Sequence, residues 1–156
     1  MKKLYFFALA VILLSFASCN GGGDTSKVDL TGLEGTWDYD YNYTGQLTGP
    51  EEPWPVDEHE TGYIIVTTNS VKDADGNSLG WSYDGVTLKL SDTETETESD
   101  ADCGEITYHA TIHWNVPIAS GATTANISGS IAITANTEDC GVYSGTCPAT
   151  GTVTKR

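Results

Sequence analysis

The chain has 156 residues, with 22 acidic against 7 basic groups and a formal net charge of −15. That balance argues against nucleic-acid binding and against docking to anionic lipid through side chains, since both need a positive surface. The length suffices for one domain with its own core. Abundant Gly, Thr, Ser, Asn and Asp, with no helical periodicity, points away from a helical fold.

The opening stretch MKKLYFFALAVILLSFASC sets Lys2 and Lys3 before an apolar run from Leu4 to Leu14, then small residues before Cys19. This is the pattern of a secretory signal, and the run falls short of the roughly 20 residues a spanning helix needs. FASC resembles the lipobox of bacterial lipoproteins, with Phe16 where that motif usually carries Leu. The resemblance implies removal of residues 1–18 and lipid on the sulfur and new amino group of Cys19. An ordinary secretory signal, with Cys19 there by coincidence, is the alternative. The Gly-rich NGGGDTSK fits a flexible tether over residues 19–29 ahead of a domain at 30–156. Several acyl chains would hold the protein durably on a membrane, at about 0.8 kcal/mol per buried CH₂. The implied location is the bacterial cell envelope, on the periplasmic or surface face of the outer membrane. From Cys19 onward five basic groups stand against 22 acidic ones, a formal charge of −17.

GTWDYDYNYTG, Gly35 to Gly45, alternates Trp37, Tyr39, Tyr41 and Tyr43 with Asp38, Asp40 and Asn42, as a half-buried antiparallel strand does. The acidic, Pro-rich Thr48 to Glu60 reads as a long link holding Trp54 between Pro53 and Pro55. GYIIVTTNSV, Gly62 to Val71, is a second strand, apolar on both faces. DADGN and YDG are turn signals around a short strand at Trp81. Asp73 and Asp75 before Gly76 share part of a calcium loop, but the helices that flank such a loop are missing, so a hairpin turn is expected. In VTLKL, Val86, Leu88 and Leu90 point inward.

The run SDTETETESDADCGE then places Asp or Glu at every even position from Asp92 to Asp102. Continued in the preceding register, it would drive carboxylates into the core, so it is expected to leave the sheet as a solvated loop or frayed extension. Successive carboxylates on one edge lie about 7 Å apart, too far for one metal ion. EITYHATIHW, Glu105 to Trp114, resumes the alternation with Ile106, Tyr108, Ala110, Ile112 and Trp114 inward. Its His109 and His113, about 13 Å apart on a strand, cannot share a metal unaided. ANISGSIAITAN pairs back on it, and GVYSGT and ATGTVTKR read as a last short hairpin. The sum is an all-β antiparallel domain of about seven or eight strands, an up-and-down barrel or else a β-sandwich.

With Cys19 taken by lipid, Cys103, Cys140 and Cys147 remain, enough for one disulfide and one thiol in an oxidising compartment. A hairpin centred near residue 120 brings Cys103 opposite the neighbourhood of Cys140, which favours that pair; Cys140–Cys147 stays open. No second cysteine set completes a zinc site, and no metal or cofactor is expected.

GTW after the leader DLTGLE resembles the G-x-W start of lipocalin-like barrels, especially the small lipocalin-like lipoproteins of Gram-negative bacteria. The resemblance implies a barrel whose base Trp37 closes, with a late Arg, here Arg156, packed over it, and an apolar cavity without catalytic residues. Trp37, Tyr39, Tyr41, Tyr43 and Trp54 are then the candidate ligand-binding residues, against core packing as the plainer alternative. Neither a nucleophile elbow nor a zinc-protease motif is present, and the three His lack a nucleophile in sequence, so no enzyme is expected. The expectation is a lipid-anchored, exported lipocalin-like barrel binding a small ligand or serving the envelope structurally. A carbohydrate-binding or adhesion module of sandwich type, with a glycan partner, is the alternative.

Overall fold

A computed structural model describes residues 29–156. The expected signal segment, Cys19 and the expected tether up to residue 28 lie outside the described residues. Eight strands follow one another: β1 (Gly35–Leu47), β2 (Trp54–Val66), β3 (Val71–Lys72), β4 (Gly80–Tyr83), β5 (Thr87–Asp100), β6 (Gly104–Pro117), β7 (Thr124–Thr137) and β8 (Val142–Lys155). They form one antiparallel sheet in the order β3-β2-β1-β8-β7-β6-β5-β4. Each strand pairs with its chain neighbour, and β1 pairs with β8 from Trp37↔Lys155 to Tyr43↔Ala149. The ends of the sheet meet where Leu79 N donates to the Val71 carbonyl at 2.9 Å, Lys72 bridges Ser78 and Asp73 N donates to the Asn77 carbonyl at 3.0 Å. This is a nearly closed, up-and-down barrel of lipocalin-like architecture rather than a two-sheet sandwich.

The alternation read from the sequence sets the inner face. Odd residues of β1, β7 and β8 and even residues of β2, β5 and β6 point inward. At the lower end Trp37 is almost fully buried and its Nε1 donates to the Leu33 carbonyl at 2.8 Å. Leu30 and Leu33 close this end from below, tied by Leu30 N to the Thr68 carbonyl. Trp37, Ile64, Leu88, Val116 and Val153 surround a void of about 10 Å³, room for one water at most, so the lower half is a packed core.

Several expectations need correction. The Thr48 to Glu60 link is largely strand: β2 starts at Trp54 and pairs with β1 from its first residue, Leu47↔Trp54. Val56, Glu58 and Glu60 already alternate inward there, a signal the flanking prolines masked. The last hairpin is a single strand, because Gly145, Pro148 and Gly151, which look like breakers, are tolerated within β8. Pro148 has no N–H to give, and it falls where the β1–β8 ladder lapses between Tyr43↔Ala149 and the bridge Thr48↔Ser144. Val86 is 65% exposed, sitting in the turn before β5 with its N–H on the Asp84 carboxylate.

Mid-barrel, large rings and glycines oppose one another across the ladders: Tyr39↔Gly62, Tyr41↔Gly151 and Trp114↔Gly129. A Cβ on Gly62 would run into the Tyr39 ring, and one on Gly151 into the Asp40 carbonyl and the Tyr41 backbone. The glycines therefore make room for rings too wide for a narrow barrel, the role aromatic residues take beside strand glycines elsewhere.

At the upper end Cys103 and Cys140 form a disulfide, as the hairpin register favours. The β6–β7 ladder ends at Ile106↔Thr137, which puts the two cysteines at matching positions just past it. Cys147 is a buried free thiol under Gly45, pushed up from its ordinary pKa by desolvation.

Candidate functional site

β5 is one strand from end to end. It pairs with β6 at every position from Thr87↔Pro117 to Asp100↔Gly104, so the acidic run does not leave the sheet. The physical objection to buried carboxylates stands, but "inward" is not "buried" at this height. β3 spans only Val71–Lys72 and pairs with Ile65 and Val66, and β4 covers β5 only from Leu88 to Ser91. Above them, among the described residues, neither the outer edge of β2 nor that of β5 carries a partner strand. The barrel is split there, and water reaches its inner face. Thr at the odd positions supplies strand propensity, and outward contacts add to it: Thr95 Oγ1 lies 3.1 Å from His109 Nδ1, and Thr97 Oγ1 3.3 Å from Thr107 Oγ1.

The slit is lined by Glu58 and Glu60 from β2 and by Asp92, Glu94, Glu96 and Glu98 from β5. Beneath lie rings. Tyr41 faces Trp114 edge-on at 4.9 Å and stacks on Tyr43 at 6.0 Å; Tyr39 meets Trp114 at 5.3 Å. The Tyr108 hydroxyl donates to Glu98 Oε1 at 2.8 Å. Among the described residues no basic side chain pairs with Glu60, Glu94 or Glu96.

The electrostatics follow from this crowding. Desolvation by the wall raises Glu60, Glu96 and Asp92, and repulsion by Glu96, Glu98 and Asp73 respectively adds to it. Glu94 is pushed up to about 7, by desolvation first and then by Asp92, Glu60, Glu96 and Asp73. Water at its open side screens the charge, so its energetic weight is smaller than that displacement implies. The phenols rise with the carboxylates: burial, then Glu60, pushes Tyr39 up to about 12 and Tyr41 and Tyr43 further. They remain neutral donors at physiological pH. Among the described residues, two buried polar atoms in the interior lack a hydrogen-bond partner, Trp114 Nε1 and Tyr143 Oη.

The candidate ligand residues divide. Trp37 belongs to the lower core, away from the slit. Tyr39, Tyr41 and Tyr43 form its floor, more deeply set than an exposed platform would be, with Tyr41 and Tyr43 buried and Tyr39 partly so. Trp54 lies at the upper end, half-buried and stacked on Tyr143 with ring centroids 3.9 Å apart. A flat strip for sugar stacking does not result. The carboxylates and Trp114 were missed as one site because nothing in the sequence says where β3 and β4 stop.

Elsewhere the expected Arg156–Trp37 contact is replaced. Lys155 Nζ lies 5.6 Å from the centre of the Trp37 ring, while the Arg156 guanidinium stacks over Tyr63 and binds Asp38 Oδ1 at 2.6 Å. The side chain of residue 155 shares the inner-face parity of Trp37, whereas residue 156 falls on the opposite one. A shallow outer groove of about 490 Å³ runs beside that ion pair. Asp73 accepts the N–H groups of Asp75 and Asn77, which makes its loop a hairpin turn. The three His all project from the outer wall, with His59 Nε2 2.9 Å from Asp40 Oδ1. Among the described residues no cluster of His, Cys, Asp and Glu has metal-binding geometry.

No family model, curated protein or solved structure matches this chain. Fold and site together define an eight-stranded, lipocalin-like barrel with a packed lower half and an acid-lined split above it.

Proposed function

We propose that the protein is an exported, lipid-anchored barrel of the bacterial cell envelope that binds a positively charged ligand in its slit, without catalysing a reaction. The observation that carries the binding half is the row of inward carboxylates over Tyr39, Tyr41, Tyr43 and Trp114, with no basic side chain among the described residues paired to Glu60, Glu94 or Glu96. Keeping Glu60, Glu94 and Glu96 charged beside one another is unfavourable in the empty protein, and a cation removes that repulsion. Electron-rich ring faces favour the same ligands. The anchoring half is supported by the lipobox-like FASC and the Gly-rich tether. The outer wall bears Asp38, Asp40, His59 and Lys89, so it suits water, and attachment falls to Cys19.

Two measurements test the reading. In a bacterial host, a clickable palmitate analogue should label the protein and Cys19→Ala should abolish both label and membrane fractionation. Titration of the lipid-free domain with spermine should perturb Trp114 fluorescence, with an affinity that weakens as salt rises. A protein that stays unlabelled, or an emission spectrum indifferent to the amine at low salt, would remove the corresponding half.

A further inference from the structure

We propose that the free edge of β5, Asp92–Ser99, takes up an extended peptide strand that carries Lys or Arg at alternate positions. The inference rests on the cation-binding slit and names its partner. Two features of different origin coincide there. One is the backbone: β4 leaves β5 after Ser91, and from Asp92 to Ser99 no strand among the described residues pairs with that edge. An unpaired edge presents a row of N–H and C=O groups, the template for strand addition. The other is the inward row Asp92, Glu94, Glu96 and Glu98, spaced at the strand's own repeat of two residues.

That repeat decides between occupants. A strand added beside β5 sends every second side chain into the slit, in cross-strand register with these carboxylates. Basic residues there meet Glu94 and Glu96 on one flank, Glu60 on the other and the ring floor below. Inward charges on an edge strand commonly block unwanted pairing. Here they reject a second copy of this chain, whose own formal charge is −15, and any neutral strand, while leaving a basic one acceptable. A single metal ion is disfavoured, because same-face carboxylates about 7 Å apart do not converge on one point. Trp114, 7% exposed, lies on the slit floor against Tyr39 and Tyr41, so the stems of inward Lys or Arg side chains meet ring surface beneath the carboxylates.

The test compares four probes on the folded, lipid-free domain by calorimetry and amide hydrogen exchange. They are an alternating Lys-Thr peptide as long as the free edge, the same residues with the Lys in one block, the alternating peptide with N-methylated backbone, and spermine. The alternating peptide should bind about tenfold tighter than its blocked or methylated forms, the worth of two cross-strand ion pairs. It should slow exchange within Asp92–Ser99. Glu94→Gln with Glu96→Gln should cancel the advantage, while Glu138→Gln, at the upper turn away from the slit, should leave it. The double variant's thermal midpoint guards against a folding defect. Equal affinity of the methylated peptide, or binding without added protection, overturns strand addition. Binding of spermine alone overturns it too but leaves the cation site standing; silence of all four probes removes both.

Discussion

Removing the Cys103–Cys140 bond offers the most quantitative test of the fold. The bond joins residues 37 apart in sequence. Closing a loop of that length in the unfolded chain is worth about 4 kcal/mol by chain entropy. The folded corner has other ties: Asp139 N to the Cys103 carbonyl at 3.2 Å, Glu138 N to the Glu105 carbonyl at 2.9 Å, and Cys140 N to Thr137 Oγ1 at 2.8 Å. These should hold the native geometry without the sulfurs, leaving the effect mainly in the unfolded state. The Cys103→Ser, Cys140→Ser double variant should therefore keep its near-ultraviolet circular dichroism yet unfold earlier. With a urea slope of about 1.5 kcal/mol/M, the midpoint should fall by about 2.5 M. Wild type in reductant should match it, since Cys147 is buried and outside the bond. A midpoint shift below about 0.5 M would refute the loop-entropy account. A Cys140–Cys147 bond in native wild-type protein would refute the pairing itself.

Other outcomes follow from the barrel interior. Glu94 moves from its ordinary 4.5 to about 7 on folding, so the folded state holds more protons between those values. Stability should fall as pH rises from about 4.5 to about 7, with Glu60, Glu96 and Asp92 acting in the same sense, and Glu94→Gln should flatten the thermal midpoint across that window. Trp37→Phe strands the Leu33 carbonyl and should cost about 1–3 kcal/mol in urea unfolding; an unchanged midpoint would mean that the bond is not a structural tie. Gly151→Ala forces a Cβ against the Asp40 carbonyl and should destabilise by about 1–3 kcal/mol or more, with shifted Tyr41 resonances in the NMR spectrum. Arg156→Ala should raise the pKa of Asp38, now held down first by its hydrogen bond to that guanidinium, in a carboxyl NMR titration.

The sequence was most legible where one face of a strand meets a dry core. Trp37, Leu88, Trp114 and Ile131 obey the period of two, and their parity alone places them correctly. The Cys103–Cys140 pair was legible for the same reason, since register follows from parity and a turn position. What failed were residues judged by local habit. Pro53 and Pro55 made a strand look like a linker, and Gly145, Pro148 and Gly151 made one strand look like two. In each case a tertiary partner overrides the habit: β1 pairs with Trp54 and Pro55, and the Tyr41 ring needs Gly151 bare.

The acidic run failed for a different reason. Period-two alternation tells which side of the sheet a side chain takes and says nothing about what fills that side. Along β5 the same face passes from Leu88 and Leu90, both buried, to Glu94, which is exposed, without a break in pairing. The change comes from the other side of the opening, where β3 is two residues long and β4 four. Lengthening those two strands would close the barrel and bury the carboxylates, which their desolvation forbids; shortening β5 would spare the carboxylates but give up its ladder to β6. The short strands and the acidic row are therefore one feature. The chain tolerates a row of inward charges only because it leaves the sheet open beside them, and the open sheet stays free of neutral and acidic strands because of those charges.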